Sequence, residues 1–268
     1  MELTVNNAPV YVATGGKNFD VKLPTVLFLH GSGGDHRTWA LQTRWFAYHG
    51  YSVLAPDLPG HSLSGGLPFS RIEDSADWIN AFLDAAGVKA AHMVGHSQGF
   101  LSALSHAKHN QSRILSLTAV GTAAAIPVNQ ALIDTAKESS AKAAHMMCNW
   151  GFGPDAHMGG SSVPGMQPIA ISRAIMSGNP LAVDLQACAN FADGGEIAKT
   201  LTIPRHCILA SSDKMTPLKA GLALAESMGV EPTIILERGH MLPLEAPKQT
   251  LMALRDFIMS VQSERAAA

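Results

Sequence analysis

The sequence is short of charge, of cysteine and of long apolar runs. Only 15% of its 268 residues are charged, and the formal net charge is −2. No basic run stands out, so neither nucleic acid nor an anionic membrane surface is an expected partner. No apolar stretch approaches membrane-spanning length. The opening Met-Glu-Leu-Thr lacks the basic and apolar regions of a secretion signal, and a cytoplasmic location is expected. The Asn110-Gln111-Ser112 sequon then carries little meaning. The three cysteines, Cys148, Cys188 and Cys207, are odd in number and widely spaced. Reduced, buried thiols are expected, with a Cys148–Cys188 bridge the one pairing left open. Repeats and low-complexity linkers are missing too. The length suits one α/β domain with an insertion, or two small domains, and the 47% hydrophobic content provides for a large buried core.

Short β-rich runs alternate with amphipathic stretches. Leu3–Val5 and Val10–Ala13 read as an antiparallel hairpin. Thr25–Leu29, Ser52–Ala55, Ala90–Val94, Ile114–Val120, His206–Ala210 and Thr233–Leu236 read as buried strands. Helices are expected from Trp39 to Tyr48, Ile72 to Ala85, Phe100 to His109, Leu218 to Met228 and Glu245 to Val261, with Ser263–Ala268 frayed. This alternation implies a mostly parallel, twisted sheet with right-handed crossovers and helices on both faces. After Thr122 the rhythm changes. Val128–Trp150 reads as one long helix or two short ones, 151–165 as loop, and Gln167–Met176 and Leu181–Phe191 as helices. Residues 122–194 are therefore expected to form an inserted α-helical lid, with 1–121 and 195–268 forming the core.

Gly95-His96-Ser97-Gln98-Gly99 sits between a strand and a helix. A sharp strand-to-helix turn strains its corner residue and crowds the backbone, and glycines at 95 and 99 relieve the crowding. The turn exposes the Ser97 hydroxyl at the sheet's carboxyl edge, at a helix N-terminus. A serine needs a base, and the base needs an orienting group. Of the twelve histidines, His240 is the one that follows the last strand in a Gly-His context. Asp213 follows the strand before it. The order Ser97, Asp213, His240 places all three on carboxyl-end loops. Asp134, Asp184 and Asp193 lie inside the insertion, Glu237 reads as a surface residue, and Asp57 reads as a tie within its own Pro-Asp-Leu-Pro-Gly-His turn.

Acyl transfer also needs oxyanion donors. The N–H groups of Gln98 and Ser32 are expected to serve, with Gly31 allowing close approach. The loop His30-Gly31-Ser32-Gly33-Gly34 is not a phosphate cradle, because no Lys-Ser or Lys-Thr follows it. His92 and His96 lack a third ligand, and His106 and His109 read as a solvated pair, so no metal and no cofactor are expected.

These motifs, with Asp57-Leu58-Pro59-Gly60-His61-Ser62, resemble the α/β-hydrolase superfamily over residues 20–121 and 195–260. The resemblance implies an α/β-hydrolase fold with a helical lid, and a carboxylesterase acting on a small-molecule ester through an acyl-enzyme. Ser97 at the elbow departs from the aspartate of dehalogenases and epoxide hydrolases. His96 stands where C–C bond hydrolases usually carry Asn. A C–C hydrolase, a cofactor-free perhydrolase or haloperoxidase, and a ligand receptor on the same scaffold are the alternatives. Phe100 departs from the small residue many relatives carry there. The insertion is expected to supply the pocket from Met146, Met147, Trp150, Phe152, Met158, Met166 and Met176, with Met241 beside the base. Few charges lie there, which points to an apolar or weakly polar ester. A monomer or homodimer is expected.

Overall fold

A strand covered on both faces has no polar face to keep, so it reads as a continuous apolar run. The computed structural model, which describes residues 1–267, joins eight strands in one sheet. They are β1 (Glu2–Val5), β2 (Ala8–Ala13), β3 (Thr25–Leu29), β4 (Ser52–Pro56), β5 (Ala91–His96), β6 (Ile114–Val120), β7 (Arg205–Ala210) and β8 (Thr233–Ile235). Their order across the sheet is β1-β2-β4-β3-β5-β6-β7-β8. From β4 to β8 all neighbours are parallel, while β2 runs antiparallel to both β1 and β4. The registers Leu29↔Gly95 and His96↔Val120 bring the carboxyl ends of β3, β5 and β6 level.

The helices are α1 (Ala40–Tyr48), α2 (Asp74–Ala85), α3 (Gln98–Asn110), α4 (Gln130–Glu138), α5 (Ser140–Gly151), α6 (Pro154–His157), α7 (Pro168–Ser177), α8 (Leu181–Asn190), α9 (Gly194–Lys199), α10 (Leu218–Met228), α11 (Leu242–Glu245) and α12 (Pro247–Ala267). All five positions of β3 are buried, and strand alternation divides them between two cores. Leu27 and Leu29 pack with Phe82 and Leu83 of α2 and Leu104 of α3. Val26 and Phe28 pack with Phe46 of α1 and with Leu254 and Ile258 of α12. Each such side chain contributes about 1.5–3 kcal/mol on burial. The helices between β6 and β7 build a third cluster that includes Ile133, Met147, Phe152 and Leu185.

For Val128–Trp150 the alternative of two short helices holds, and three sequence expectations need correction. Val128–Trp150 is broken at Ser139, whose extended backbone ends α4 and whose hydroxyl accepts from Lys142 N at 3.3 Å to start α5. The stretch 151–165 holds the turn α6, with Pro154 at its start. The closing helix is two pieces, α11 and α12, divided at Pro247, whose ring nitrogen cannot donate into a continuous helix. Residues 263–267 continue α12, whereas Ala268 lies outside the described residues. All three cysteines are free and buried. No described helix is long and apolar enough to cross a membrane.

Candidate active site

The turn from β5 into α3 forces Ser97 to φ 53° and ψ −122°, a left-handed conformation that costs about 1–3 kcal/mol. Neighbouring strands hold it there. Ser97 N–H donates to Val120 O at 3.1 Å, and Ser97 O accepts from Thr122 Oγ1 at 3.1 Å. A Cβ at Gly95 would collide with Phe100 N, and one at Gly99 with Leu29 O, so only glycine fits either flank. A Cβ on Gly31 would come within 3.0 Å of Ser97 Cβ, which places the loop after β3 directly against the serine. The N–H groups of Ser32 and Gln98 donate to no acceptor among the described residues. His30 fixes that loop, its Nδ1 donating to Gly31 O at 3.0 Å and its Nε2 accepting from Leu58 N–H at 3.1 Å. Burial first, then the nearby charge of His61, lowers the His30 pKa to about 4 and keeps the ring neutral, as this arrangement requires.

His240 and Asp213 face each other on the loops after β8 and β7. His240 Nδ1 donates to Asp213 Oδ2 at 2.8 Å. Thr216 Oγ1 donates to the same oxygen at 2.8 Å and lies 3.1 Å from His240 Nδ1. Asp213 Oδ1 accepts from Met215 N and Thr216 N. Burial alone would raise the Asp213 pKa, but His240 and these hydrogen bonds outweigh it and hold the carboxyl below its ordinary value. With Nδ1 so engaged, Nε2 of His240 is the nitrogen left for a reacting proton. His240 O accepts from His96 Nε2 at 2.9 Å. Burial, then the neighbouring His240, lowers the His96 pKa to about 3, so His96 adds no charge.

Ser97, His240, His96, Gly31, Ser32 and Gly34 form the polar side of one narrow cavity. Met147, Cys148, Ile175 and Met176 close it from the insertion, and Met215, Met241 and Leu244 from the core. Burial pushes all three thiols up to about 12, which removes cysteine as a nucleophile.

The sequence matches the alpha/beta hydrolase family over residues 26–253. The chain belongs to that family. It is an enzyme of the α/β-hydrolase class, and its relatives include esterases, an enol-lactonase and C–C hydrolases. It is 23% identical to 3-oxoadipate enol-lactonase 1 of Acinetobacter baylyi over 92% of this chain and 95% of that protein. A shorter stretch is 40% identical to the dihydrolipoyllysine-residue acetyltransferase component of the acetoin cleaving system of Cupriavidus necator. That match covers 36% of this chain and only 26% of the acetyltransferase. A thermophilic esterase of Thermogutta terrifontis shares the fold at a TM-score of 0.84 and 20% identity, over 97% of this chain and 98% of that one.

Five residues expected at the hydrolase pocket, Met146, Trp150, Phe152, Met158 and Met166, lie elsewhere. Trp150 is 41% exposed, and Met146 packs into the cluster between the inserted helices. Neither lines the cavity, because α5 turns its Met147 and Cys148 positions inward instead. Of the other expected wall residues, Met147 and Met176 reach the cavity, Phe152 is buried in the same cluster, Met158 is 88% exposed, and Met166 is half-buried away from the lining. His106, expected in solvent, is buried and donates from Nδ1 to Ala76 O at 3.1 Å. Sequence reasoning also missed three buried groups. Thr216 is one. Glu245 accepts from Gly239 N and Gly153 N, both at 2.9 Å, and so ties the His240 loop to the insertion.

Asp184 of α8 is the third. Its Oδ2 accepts from Gly33 N at 2.7 Å and from His61 Nε2 at 2.9 Å. His61 Nδ1 donates to Pro59 O, so both ring nitrogens donate and the ring carries its proton. Burial would lower the His61 pKa, yet the Asp184 carboxylate, with the hydrogen bonds and a lesser contribution from Asp57, raises it above the ordinary value. Asn179 adds Nδ2–H bonds to Gly33 O and Gly34 O, both at 2.9 Å. The insertion is thereby latched to the loop beside Ser97. A raised folded-state pKa stabilises fully below the unfolded value, about 6.5, and the contribution fades as pH rises through the folded value. Asp184→Asn should cost about 2 kcal/mol at pH 6, a fall of about 5 °C in melting temperature. The difference from wild type should narrow toward pH 9. A difference constant across pH in thermal melts would rule out the charged pair.

Asp35, His36 and Asp57 bring ligand-type atoms within 4.8 Å of one another. Both carboxylates are already engaged, Asp35 by the Arg37 guanidinium and Asp57 by His36 N, His36 Nδ1 and Leu63 N. The cluster is explained as a hydrogen-bonded loop anchor, and Asp57 does tie its own turn. His92 bonds Ser116 and Gln262, well apart from the partner of His96.

Proposed function

We propose that this hydrolase cleaves a small, uncharged carboxylic ester through an acyl-enzyme on Ser97. The observation that carries the reading is the strained Ser97 in a cavity shared with His240, whose Nδ1 is held by Asp213. Ser97 Oγ attacks the carbonyl carbon while His240 Nε2 takes the hydroxyl proton. Asp213 holds the ring orientation and balances the imidazolium charge. The N–H groups of Ser32 and Gln98 receive the developing oxyanion, each contributing about 3 kcal/mol to the transition state. His240 returns its proton to the leaving alkoxide oxygen. Water then attacks the acyl-enzyme with His240 as base, releasing the acid and restoring Ser97. Residues 122–194 act as the cap over this reaction, supplying much of the apolar wall.

Charge narrows the substrate. Among the described residues, the cavity lining has no Lys, Arg, Asp or Glu, and His96 is neutral. A free carboxylate there would be buried without a partner, at a cost of several kcal/mol. This speaks against dicarboxylates such as the acids that give the enol-lactonase and nonadienedioate hydrolase relatives their names. A panel of neutral p-nitrophenyl and alkyl esters, a dienol diketone and a peracid assay, run on wild type, tests the reading. Turnover of neutral esters well above the other two supports it. Carbon–carbon cleavage or peracid formation as the dominant activity, or tight binding with negligible turnover, overturns it.

A further inference from the structure

Resting on the ester-hydrolase reading, we propose that Ser172 is a substrate-contacting residue, pairing its hydroxyl with an oxygen elsewhere on the ester. The preferred substrates are then hydroxy-, keto- or ether-bearing neutral esters rather than plain alkyl ones. Ser172 lies on α7 and lines the cavity that holds Ser97. It is 1% exposed, and its Oγ has no hydrogen-bond partner in the protein.

A helical serine usually satisfies itself by donating back to the carbonyl four residues earlier. Ser177 of the same helix does so, to Arg173 O at 2.6 Å, and Thr135 of α4 does so to Ala131 O at 2.7 Å. Ser172 does not bond Pro168 O in this way. A buried hydroxyl without a partner is destabilising, so its position on a binding cavity points to a ligand atom as the partner. Its surroundings sharpen the point. Ile175 and Met176 of the same helix, with Met147 and Cys148 of α5, present hydrocarbon and sulfur to the cavity. Outside the Ser97–His240 pair, the loop after β3 and His96, the hydroxyl-bearing side chains of the lining are Ser172 and Thr38. Thr38 sits on the core side, so Ser172 is the hydroxyl that the insertion contributes.

The test uses ester pairs of matched shape that differ by one oxygen. On the acyl side, p-nitrophenyl methoxyacetate is paired with the butanoate, and the 3-hydroxybutanoate with the 3-methylbutanoate. On the alcohol side, 2-hydroxyethyl butanoate is paired with propyl butanoate. The ratio of kcat/KM within each pair is compared between wild type and variant, so intrinsic reactivity cancels. In at least one pair, Ser172→Ala should lower the oxygenated-to-plain ratio about tenfold, the scale of one lost hydrogen bond to a buried partner. Ser172→Thr, which keeps a hydroxyl, should retain most of the ratio. Ser177→Ala, whose hydroxyl is satisfied within the helix, should leave it unchanged, and thermal melts check that each variant folds. Ratios that Ser172→Ala leaves within twofold of wild type in every pair would overturn the inference and make Ser172 a packing residue. If wild type cleaves no member of any pair, the ester reading itself falls, and this inference with it.

Discussion

Ser97→Ala should lower ester turnover by a factor of roughly a million while the protein keeps its fold. That is the scale reached when a serine nucleophile is removed from a comparable triad, since the remaining members cannot act without it. The substitution deletes one oxygen that makes no hydrogen bond among the described residues. The bonds that hold the corner run through the Ser97 backbone, to Val120 O and from Thr122 Oγ1, and both survive in alanine. The melting temperature should therefore stay close to that of wild type. A small residual rate would come from the Ser32 and Gln98 donors acting on bound ester. Single-turnover assays with a p-nitrophenyl ester check the loss of turnover, and thermal melts check the fold. A wild-type burst of nitrophenol that persists in the variant would identify another nucleophile.

Asp213→Asn should reduce kcat by at least roughly a hundredfold, with little change in KM. The asparagine amide can donate where the carboxylate accepted. His240 then favours the tautomer with its proton on Nε2, the nitrogen that must accept from Ser97. The equivalent change in a protease triad costs about ten-thousand-fold. Thr216, 3.1 Å from His240 Nδ1, offers a substitute acceptor, which is why the lower bound here is milder. Asp57→Asn makes the contrast. Asp57 accepts from His36 N at 2.8 Å, His36 Nδ1 at 2.7 Å and Leu63 N at 3.2 Å, all within the loop region around β4. Its loss should appear as about 1–3 kcal/mol of stability in denaturant titrations, with turnover little affected. If the two variants exchanged these behaviours, Asp57 would be the residue acting on His240.

Some positions were legible because strand ends are legible. The runs Thr25–Leu29 and Ile114–Val120 are continuous β-rich hydrocarbon, and a parallel sheet is what buries both faces of such strands. Once the strands are located, Ser97, Asp213 and His240 fall after β5, β7 and β8, on one edge of the sheet. The glycines at 95 and 99 announce the elbow because no side chain fits there. Helix breaks were less legible. Ser139 reads as a tolerable helix residue, and only its extended backbone shows that α4 and α5 change direction there.

The insertion marks where the sequence alone stops deciding. Its helices carry apolar residues toward each other and toward the cavity, so composition does not separate Met147, which lines the cavity, from Met146, which does not. A one-residue step on a helix turns a side chain by about 100°, and packing against the core selects the face. Buried polar groups were hidden for a related reason. Asp184 reads only as an acid inside the insertion until folding brings it to Gly33 and His61, 151 and 123 residues away along the chain. Ser172, Glu245 and His106 are the same case, since their burial depends on elements distant in sequence. Local pattern determined the sheet, the elbow and the placing of Ser97, Asp213 and His240 on its carboxyl edge, because those follow from backbone geometry that neighbouring residues impose. The inward face of the helices between β6 and β7 and the polar contacts beneath them were decided by tertiary packing, because a side chain's burial and hydrogen-bond partners belong to the whole fold.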